Sequence, residues 1–270
     1  MGAMTTVNDC EEALVAHWSQ LGRLPGSTLH EEDGLVWFET PVRHLPYNGV
    51  VRIRVDDGAA ADRAISRVMR RCADRGADCW WAVHPSATPG DIGDRLAAAG
   101  LDPVECMNFM ALELGDWQPP PAPSGVVFEV AEDEAALRAY TELTLLYWEI
   151  PGEEQDAVSE LHRAIVPGRF PGMRWLAFSD GQPVGKAYLS LAGPPGVASI
   201  YGMSVRPEAR GRHVASGLTA AMLARAQALG CHRAVLHATD MAVGLYTRIG
   251  FSRCGSATVF ATAPVWSDDD

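Results

Sequence analysis

The sequence has very little lysine and no excess of positive charge. Lys186 is the only lysine among the 22 basic residues of the 270-residue chain, and all the others are arginine. With 34 acidic residues, the formal net charge is −12. General binding to nucleic acid requires a basic face that displaces counterions, so this charge argues against it. The preference for arginine indicates a codon bias rather than a function.

Long apolar runs are also missing. No uninterrupted run approaches the roughly 20 residues that a helix needs to cross a bilayer, and the N-terminus has no basic segment followed by an apolar one, as a secretory signal would. We therefore expect a cytoplasmic protein that does not bind membranes. Apolar residues make up 47% of the chain and charged residues 21%, which is typical of a soluble globular protein.

Patterns that bind metal or form disulfides are absent as well. The six cysteines include no Cys-x-x-Cys pair, and none has a histidine at zinc-finger spacing. We expect free thiols and no metal. Cys72 and Cys79, the one close pair, are interpreted as packing residues rather than a redox switch.

A proline-rich segment divides the chain. Four of the five residues from Pro119 to Pro123 are prolines, which excludes a helix or a central strand and favours an extended spacer. We predict a domain at residues 1–115, a linker at 116–125 and a second domain at 126–270 that ends in an acidic tail. Each part is long enough to form a small domain.

Both halves alternate between strands and helices. The second half predicts strands at 126–130, 174–178, 184–191, 198–205, 234–237 and 253–262, and helices at 133–147, 153–165, 212–229 and 242–249. The first half predicts strands at 35–40, 50–55, 80–83 and 106–114, and helices at 59–75 and 91–99. The expected class is a mixed α/β fold.

A shift of about 150 residues aligns the two halves, which indicates an internal duplication. Val55 then falls on Val205 and Leu96 on Tyr246, while the pair Gly100-Leu101 falls on Gly250-Phe251. A coincidence of α/β periodicity is the alternative.

The loop that follows the aligned valines differs between the halves. Residues 206–215 carry three arginines, whereas residues 56–62 carry three aspartates. The first amides of a helix form an anion site, to which arginine adds geometry suited to phosphate. A diphosphate-containing ligand is therefore expected in the second half only.

The segment from Arg210 to Ala215 resembles the acyl-CoA loop of the GNAT acetyltransferase superfamily, Gln/Arg-x-x-Gly-x-Gly/Ala. It departs from that pattern at His213, which stands where the family has its middle glycine. Two flanking segments strengthen the resemblance: the strand ending at Val205, and Ala242 to Phe251, which is similar to the family's closing Ala-x-x-Leu-Tyr-x-x-x-Gly-Phe.

The resemblance implies two tandem GNAT-like domains, each with a mixed, mostly antiparallel sheet flanked by helices, of which the first has lost its cofactor site. It implies acetyl-CoA as co-substrate, with the following residues in contact with it: Met203, Ser204, Val205, Arg210, Gly211, Arg212, His213, Val214, Ala215, Thr239 and Tyr246. In the family's mechanism a deprotonated amine attacks the thioester, backbone amides near Met203 polarise the carbonyl, and Tyr246 protonates the leaving thiolate. Thr239, where many members have asparagine, is interpreted as a helix N-cap, with Asp240 as the alternative.

The general base is not fixed by the sequence. Glu149 is the first candidate, and His162, Tyr201, Ser204 or a chain of waters are the alternatives. The acids from Glu149 to Glu160 would steer a cationic amine toward this region. A charged outer helix face explains the same acids.

The expected function is acetyl transfer to the amine of a small molecule, such as an antibiotic or a biosynthetic intermediate. A non-catalytic acyl-CoA or ligand sensor and a protein N-terminal or lysine acetyltransferase are the alternatives. The oligomeric state stays open between a monomer and a homodimer.

Overall fold

The structure, a computed structural model, describes residues 2–32, 34–166 and 170–264, with side chains from residue 6 onward. The acidic tail predicted at the C-terminus lies outside these residues. Seven α-helices lie in the described ranges: α1 Gly2–Ser19, α2 Gly58–Arg75, α3 Ile92–Ala98, α4 Glu134–Tyr147, α5 Gly152–Ala164, α6 Val214–Ala228 and α7 Asp240–Ile249. The same ranges hold eleven strands: β1 Thr28–Glu32, β2 Leu35–Glu39, β3 Gly49–Ile53, β4 Trp80–Val83, β5 Asp102–Glu113, β6 Val126–Val130, β7 Gly172–Ser179, β8 Gln182–Ser190, β9 Val197–Val205, β10 Arg233–Ala238 and β11 Ser252–Ala261.

The sequence predicts all of these elements except α1 and β1. The first helical turns of α1 fall on Thr5, Thr6 and Asn8, which are poor helix formers and give no clear start signal. β1 is mostly polar and exposed, so it lacks the apolar alternation by which a strand is found in a sequence.

The chain forms two compact units, each built from separate segments. Unit A comprises Met1–Ala13, Asn108–Glu149 and Ile165–Cys254, and unit B comprises Leu14–Met107, Ile150–Ala164 and Gly255–Asp270. The predicted division into a domain at 1–115, a linker at 116–125 and a second domain at 126–270 stays a prediction. Each unit draws residues from both sides of the proline-rich segment.

Unit A contains the strands in the order β5-β10-β9-β8-β7-β6, in which β9 and β10 are parallel and the other neighbours antiparallel. Neighbouring residues of a strand point to opposite faces. On β7, Trp175 belongs to the core that α6 and α7 complete, while Leu176 packs with Tyr140 and Leu143 of α4. Helices therefore cover both faces of these strands, which confirms the predicted mixed sheet flanked by helices.

Unit B contains the order β1-β2-β3-β4-β11, in which only β3 and β4 are parallel among the described pairs. The adjacent Trp80 and Trp81 lie in separate cores on opposite faces of β4. Asp57 caps α2 by accepting a hydrogen bond from the amide of Ala60 at 2.8 Å, and Gly76 ends that helix with φ +58°. These are the start and stop signals that place α2 in the sequence.

Asn108 on β5 holds the turn that leads from β10 into α7. It is fully buried, and its Nδ2 donates to the carbonyl of Ala238 at 3.1 Å and to the Asp240 carboxylate at 2.8 Å. No pattern in the sequence identifies this residue, because its partners lie about 130 positions away.

Asn108→Ala is expected to lower the free energy of unfolding by about 2–3 kcal/mol, because it removes a neutral and a charge-assisted hydrogen bond from a buried site. Denaturant unfolding at pH 7 measures this change. The exposed Asn8 provides a matched control, for which Asn8→Ala should stay within about 0.5 kcal/mol of the wild type. Equal effects of the two substitutions would contradict the structural role of Asn108.

Candidate functional site

The candidate site begins where two parallel strands of unit A separate. In the described residues, β9 and β10 pair from Val197–Arg233 to Ile200–Leu236, and β9 then runs on to Val205 along β8 alone. The backbone groups on the opened edge of β9 can pair with an extended ligand, because a strand edge offers a regular row of donors and acceptors.

A β-bulge marks the point of separation. The register of β8 and β9 shifts between Lys186 and Tyr188, and Gly202 lies there with φ +58°. Glycine adopts this left-handed conformation without the steric cost that a Cβ brings. Met203, Ser204 and Val205 follow on the opened part of β9 and are half-buried. Three of the predicted contact residues therefore share one strand edge.

The arginine-rich loop leads from β9 to the start of α6. Arg206 Nε donates to the carbonyl of Pro183 at 3.0 Å, and Arg212 Nη2 donates to Ser179 Oγ at 3.0 Å, while Arg210 is exposed. Gly211 has φ +74°, and a Cβ built there would meet no atom within 4 Å. Open space and positive charge thus coincide in front of a helix N-terminus.

The first turn of α6 supplies backbone donors rather than side chains. Its first hydrogen bond runs from the amide of Gly217 to the carbonyl of His213 at 2.9 Å. The amides before Gly217 belong to the group that a helix leaves without partners of its own, so they are suited to an anion. Val214 is buried in the core and Ala215 is half-buried, so any contact from Val214 comes from its backbone.

His213, which stands where the GNAT pattern has glycine, adopts a backbone conformation that favours glycine. It has φ +61° and ψ +19°, which is left-handed, and its side chain is exposed and makes no capping hydrogen bond. The replacement therefore carries a conformational cost of roughly 1–2 kcal/mol.

Tyr246 lies on α7 and is 5% exposed. Its ring packs edge-on against Phe251 with the centroids 5.9 Å apart. Burial raises the pKa of its hydroxyl, so the phenol carries its proton at neutral pH, as a general acid must. The geometry is compatible with both sequence interpretations, a proton donor and a packing residue.

Thr239 is the N-cap residue of α7, as the sequence predicts, but its side chain makes no capping hydrogen bond. The polar side chains at this turn are instead those of Asp240 and Asn108, which bond to each other.

The candidates for the general base lie in different parts of the structure. Glu149 follows α4 in unit A, is exposed and has φ +47°. His162 belongs to α5 in unit B and is 9% exposed. Tyr201 is buried in unit A, where its ring stacks on His237 with the centroids 5.8 Å apart, and Ser204 is half-buried on β9.

The acidic run does not form a single cluster of solvated charges. Glu154 is 6% exposed and accepts hydrogen bonds from Arg43 Nε at 2.7 Å and from the Arg43 amide at 3.0 Å. Although burial opposes it, these bonds lower the pKa of Glu154. Its neighbours on α5, Glu153, Asp156 and Glu160, are exposed. Glu154 thus has a structural partner in unit B, and the others form an outer helix face.

In unit B, the chain itself occupies the position that aligns with the opened end of β9. Where β3 ends, the amide of Val55 donates to the carbonyl of Thr88 at 3.1 Å, and Thr88 Oγ1 donates to the carbonyl of Val55 at 2.9 Å. Arg95 donates to Asp62 and to the carbonyl of Gly58 at the start of α2. Leu96, which aligns with Tyr246, is fully buried.

Lys186 on β8 is a residue of this region that the sequence interpretation missed. It is 2% exposed, and burial lowers its pKa to about 7. A Cβ at Gly202 would lie 3.2 Å from its Nζ, so the amine lies beside the bulge. The signal that the sequence offers is the single lysine of the chain, placed between Gly185 and Ala187 in a mostly uncharged strand.

Within the described ranges, no group of three His, Cys, Asp or Glu residues is arranged to hold a metal ion. All six cysteines are free thiols. None of the helices in the described part of the chain combines the length and hydropathy that a membrane crossing requires.

Comparisons with known proteins find a matching family model, a similar sequence and similar folds. The model of the Acetyltransferase (GNAT) family matches residues 132–251. A mycothiol acetyltransferase from Arthrobacter sp. (strain FB24) is 26% identical, with 81% of this chain and 72% of that protein covered.

Two solved structures show the same fold at low identity. A GCN5-related N-acetyltransferase from Kribbella flavida superposes with a TM-score of 0.66 at 21% identity and covers 93% of this chain and 95% of its own. A tandem GNAT protein from the clavulanic acid biosynthesis pathway superposes with a TM-score of 0.62 at 15% identity and covers 98% and 96%. The predicted tandem GNAT architecture is therefore confirmed.

His213→Gly is expected to raise the free energy of unfolding by about 1 kcal/mol, because glycine adopts the left-handed conformation of this position without a Cβ clash. Denaturant unfolding measures the gain. The same substitution at Ser216, inside the first turn of α6, should lower stability by about 0.5–1 kcal/mol. A loss of stability in the His213 variant would show that its imidazole makes a stabilising contact that outweighs the strain.

Proposed function

Because residues 132–251 belong to the acetyltransferase (GNAT) family, we propose that this enzyme transfers an acetyl group from acetyl-CoA to the amine of a small molecule. The observation that carries the proposal is the separation of β9 from β10 beside the arginine-rich start of α6. An extended amide-containing arm fits the strand edge, and a diphosphate fits the helix start.

The residues present fit acetyl-CoA in both respects. Gly211 leaves open space in front of α6, where Arg210 and the first helix amides can bind the pyrophosphate. The backbone from Met203 to Val205 can pair with the pantetheine arm. When bound, acetyl-CoA supplies the thioester carbon that the acceptor amine attacks.

The chain's own groups then polarise the carbonyl and move the protons. Backbone amides near Met203 are fixed donors, and they stabilise negative charge on the carbonyl oxygen without reorganising. Tyr246 holds its proton at neutral pH and donates it to the departing thiolate. Glu149 is exposed at the end of α4, where it is suited to attract the acceptor or to relay a proton through water.

Release of CoA from acetyl-CoA in the presence of a panel of amines tests the proposed reaction. The panel should include the acceptor of mycothiol acetyltransferase, since that enzyme is among the relatives of this chain. It should also include aminoglycosides, amino acid derivatives and a protein N-terminal peptide, which cover the alternative acceptors. Tight binding of acetyl-CoA without CoA release from any amine would favour a sensor instead.

Arg210→Glu is expected to raise the dissociation constant of acetyl-CoA tenfold or more, because it replaces a cation beside the diphosphate with an anion. Isothermal titration calorimetry measures the constant. Arg225→Glu makes the same charge change at an exposed position of α6 and should leave binding within about twofold. Unchanged binding in the Arg210 variant would remove the phosphate-loop assignment.

Tyr246→Phe is expected to lower kcat about a hundredfold or more while acetyl-CoA binding stays close to the wild type, because the substitution removes only the proton donor. Steady-state kinetics and calorimetry separate the two effects. The matched variant Tyr47→Phe removes a hydroxyl from a buried tyrosine of unit B and should retain turnover. Full turnover in the Tyr246 variant would leave that residue with a packing role only.

A further inference from the structure

The single lysine of the chain occupies a position where lysine is rarely found. Lysine is almost never fully buried unless it is paired, yet Lys186 is 2% exposed. Every other basic residue is an arginine, and most of those whose placement is described reach solvent or an acidic partner. An arginine stays charged at any physiological pH, whereas a lysine can lose its proton.

The surroundings of the amine are aromatic. Its Nζ lies 5.2 Å from the ring centroid of Tyr140 and 5.4 Å from that of Tyr147, both on α4. Arg174 on β7 lies over the same Tyr140 ring at 5.5 Å, and Tyr188 is on β8 itself. Across the register on β9 stands Ser204. In the described part of the chain, no carboxylate forms an ion pair with Lys186.

This environment nearly balances the two protonation states. Burial disfavours the ammonium and is what lowers the pKa of Lys186, to about 7. The faces of the two tyrosine rings favour the ammonium, through cation–π attraction. A group balanced in this way can take up a proton and release it again at neutral pH.

The amine lies at the point where β9 parts from β10. A Cβ at Gly202 would stand 3.2 Å from Nζ and crowd the amine, which a glycine at this position avoids because it has no Cβ. Met203, near which we propose that backbone amides polarise the thioester carbonyl, is the next residue along the strand. An acceptor nitrogen that attacks at this place comes close to the amine of Lys186.

We propose that Lys186 is the general base that deprotonates the acceptor amine, a role that rests on the proposed acetyl transfer. The acceptor ammonium gives one proton to the neutral amine of Lys186, which becomes an ammonium against the rings of Tyr140 and Tyr147. The acceptor keeps the electron pair of its broken N–H bond and forms the bond to the acetyl carbon, and the C–S bond breaks as Tyr246 protonates the thiolate. The new amide nitrogen loses its second proton to solvent, from which Tyr246 regains its own. Lys186 returns the proton to solvent before the next turnover.

The first test follows the protonation of Lys186 without substrate. Labelling with lysine that carries ¹³C at Cε produces a single side-chain resonance, because the chain has one lysine. We expect this resonance to titrate near pH 7 and to shift when acetyl-CoA is added. A resonance that keeps the position of an ammonium up to pH 9.5, or that does not respond to acetyl-CoA, would overturn the proposal.

The second test uses two variants that differ in what they retain. Lys186→Met keeps the volume and loses the amine, while Lys186→Arg keeps the cation but cannot deprotonate. Both should lower kcat/KM about a hundredfold or more, and both should abolish its rise with pH through about 7. Arg225→Met, on the exposed face of α6, removes a cation elsewhere and should keep the rate and the pH profile.

The outcomes separate the proposed base from other roles. Full rescue by Lys186→Arg would show that Lys186 binds an anionic group of the acceptor and would overturn the proposal. Acetylation of Lys186 itself, visible by intact-mass spectrometry, would make it an acceptor and overturn the proposal as well. Thermal unfolding of each variant shows whether it has folded. If neither variant folds, the titration of the wild-type resonance decides whether Lys186 deprotonates near pH 7, as the proposal requires.

The two proposals can fail independently. If no amine in the panel releases CoA, the proposed transfer to small molecules fails, while the titration of the lysine resonance still reports whether Lys186 deprotonates near neutral pH. If an amine is acetylated and the variants keep the wild-type pH profile, only the proposed base is wrong.

Discussion

Where two parallel strands separate, the backbone groups on their inner edges need new hydrogen-bond partners, because an unpaired buried amide or carbonyl is costly. Unit B meets this requirement from within: Thr88 bonds to both backbone groups of Val55 at the end of β3. In unit A the pairing of β9 with β10 ends at Ile200 and Leu236, and β9 continues as an open edge. The same arrangement is closed by the chain itself in one unit and left open in the other, where we propose that acetyl-CoA binds.

The sequence predicts the parts of this difference that depend on local residue chemistry. The arginines after Val205, the aspartates after Val55 and the exchange of Tyr246 for Leu96 can each be found by aligning the two halves. The helix ends can also be predicted, because glycine in a left-handed conformation closes α2 and α7. Local signals of this kind do not depend on the rest of the fold.

What the sequence does not predict are contacts between distant residues. Thr88 bonds to Val55 in unit B, and Asn108 bonds to Asp240 at the start of α7. Both contacts join residues that are far apart in the sequence and belong to no motif. The acids near Glu149 are a second example. In the sequence Glu154 looks like part of a solvated acidic run, but in the structure it is a buried partner of Arg43. Codon bias accounts for the preference for arginine but does not single out Lys186, because burial is not visible in composition.

The two groups proposed to move protons lie on opposite faces of the strands of unit A. Tyr246 belongs to the core that includes Ala187, whereas Lys186 precedes Ala187 on β8 and faces α4. Successive residues of a strand point to opposite sides, so this one-residue step places the two groups apart. This division fits a reaction in which one proton leaves the acceptor as another is added to the sulfur. The bulge at Gly202 lies beside the amine that we propose takes up the first of these protons.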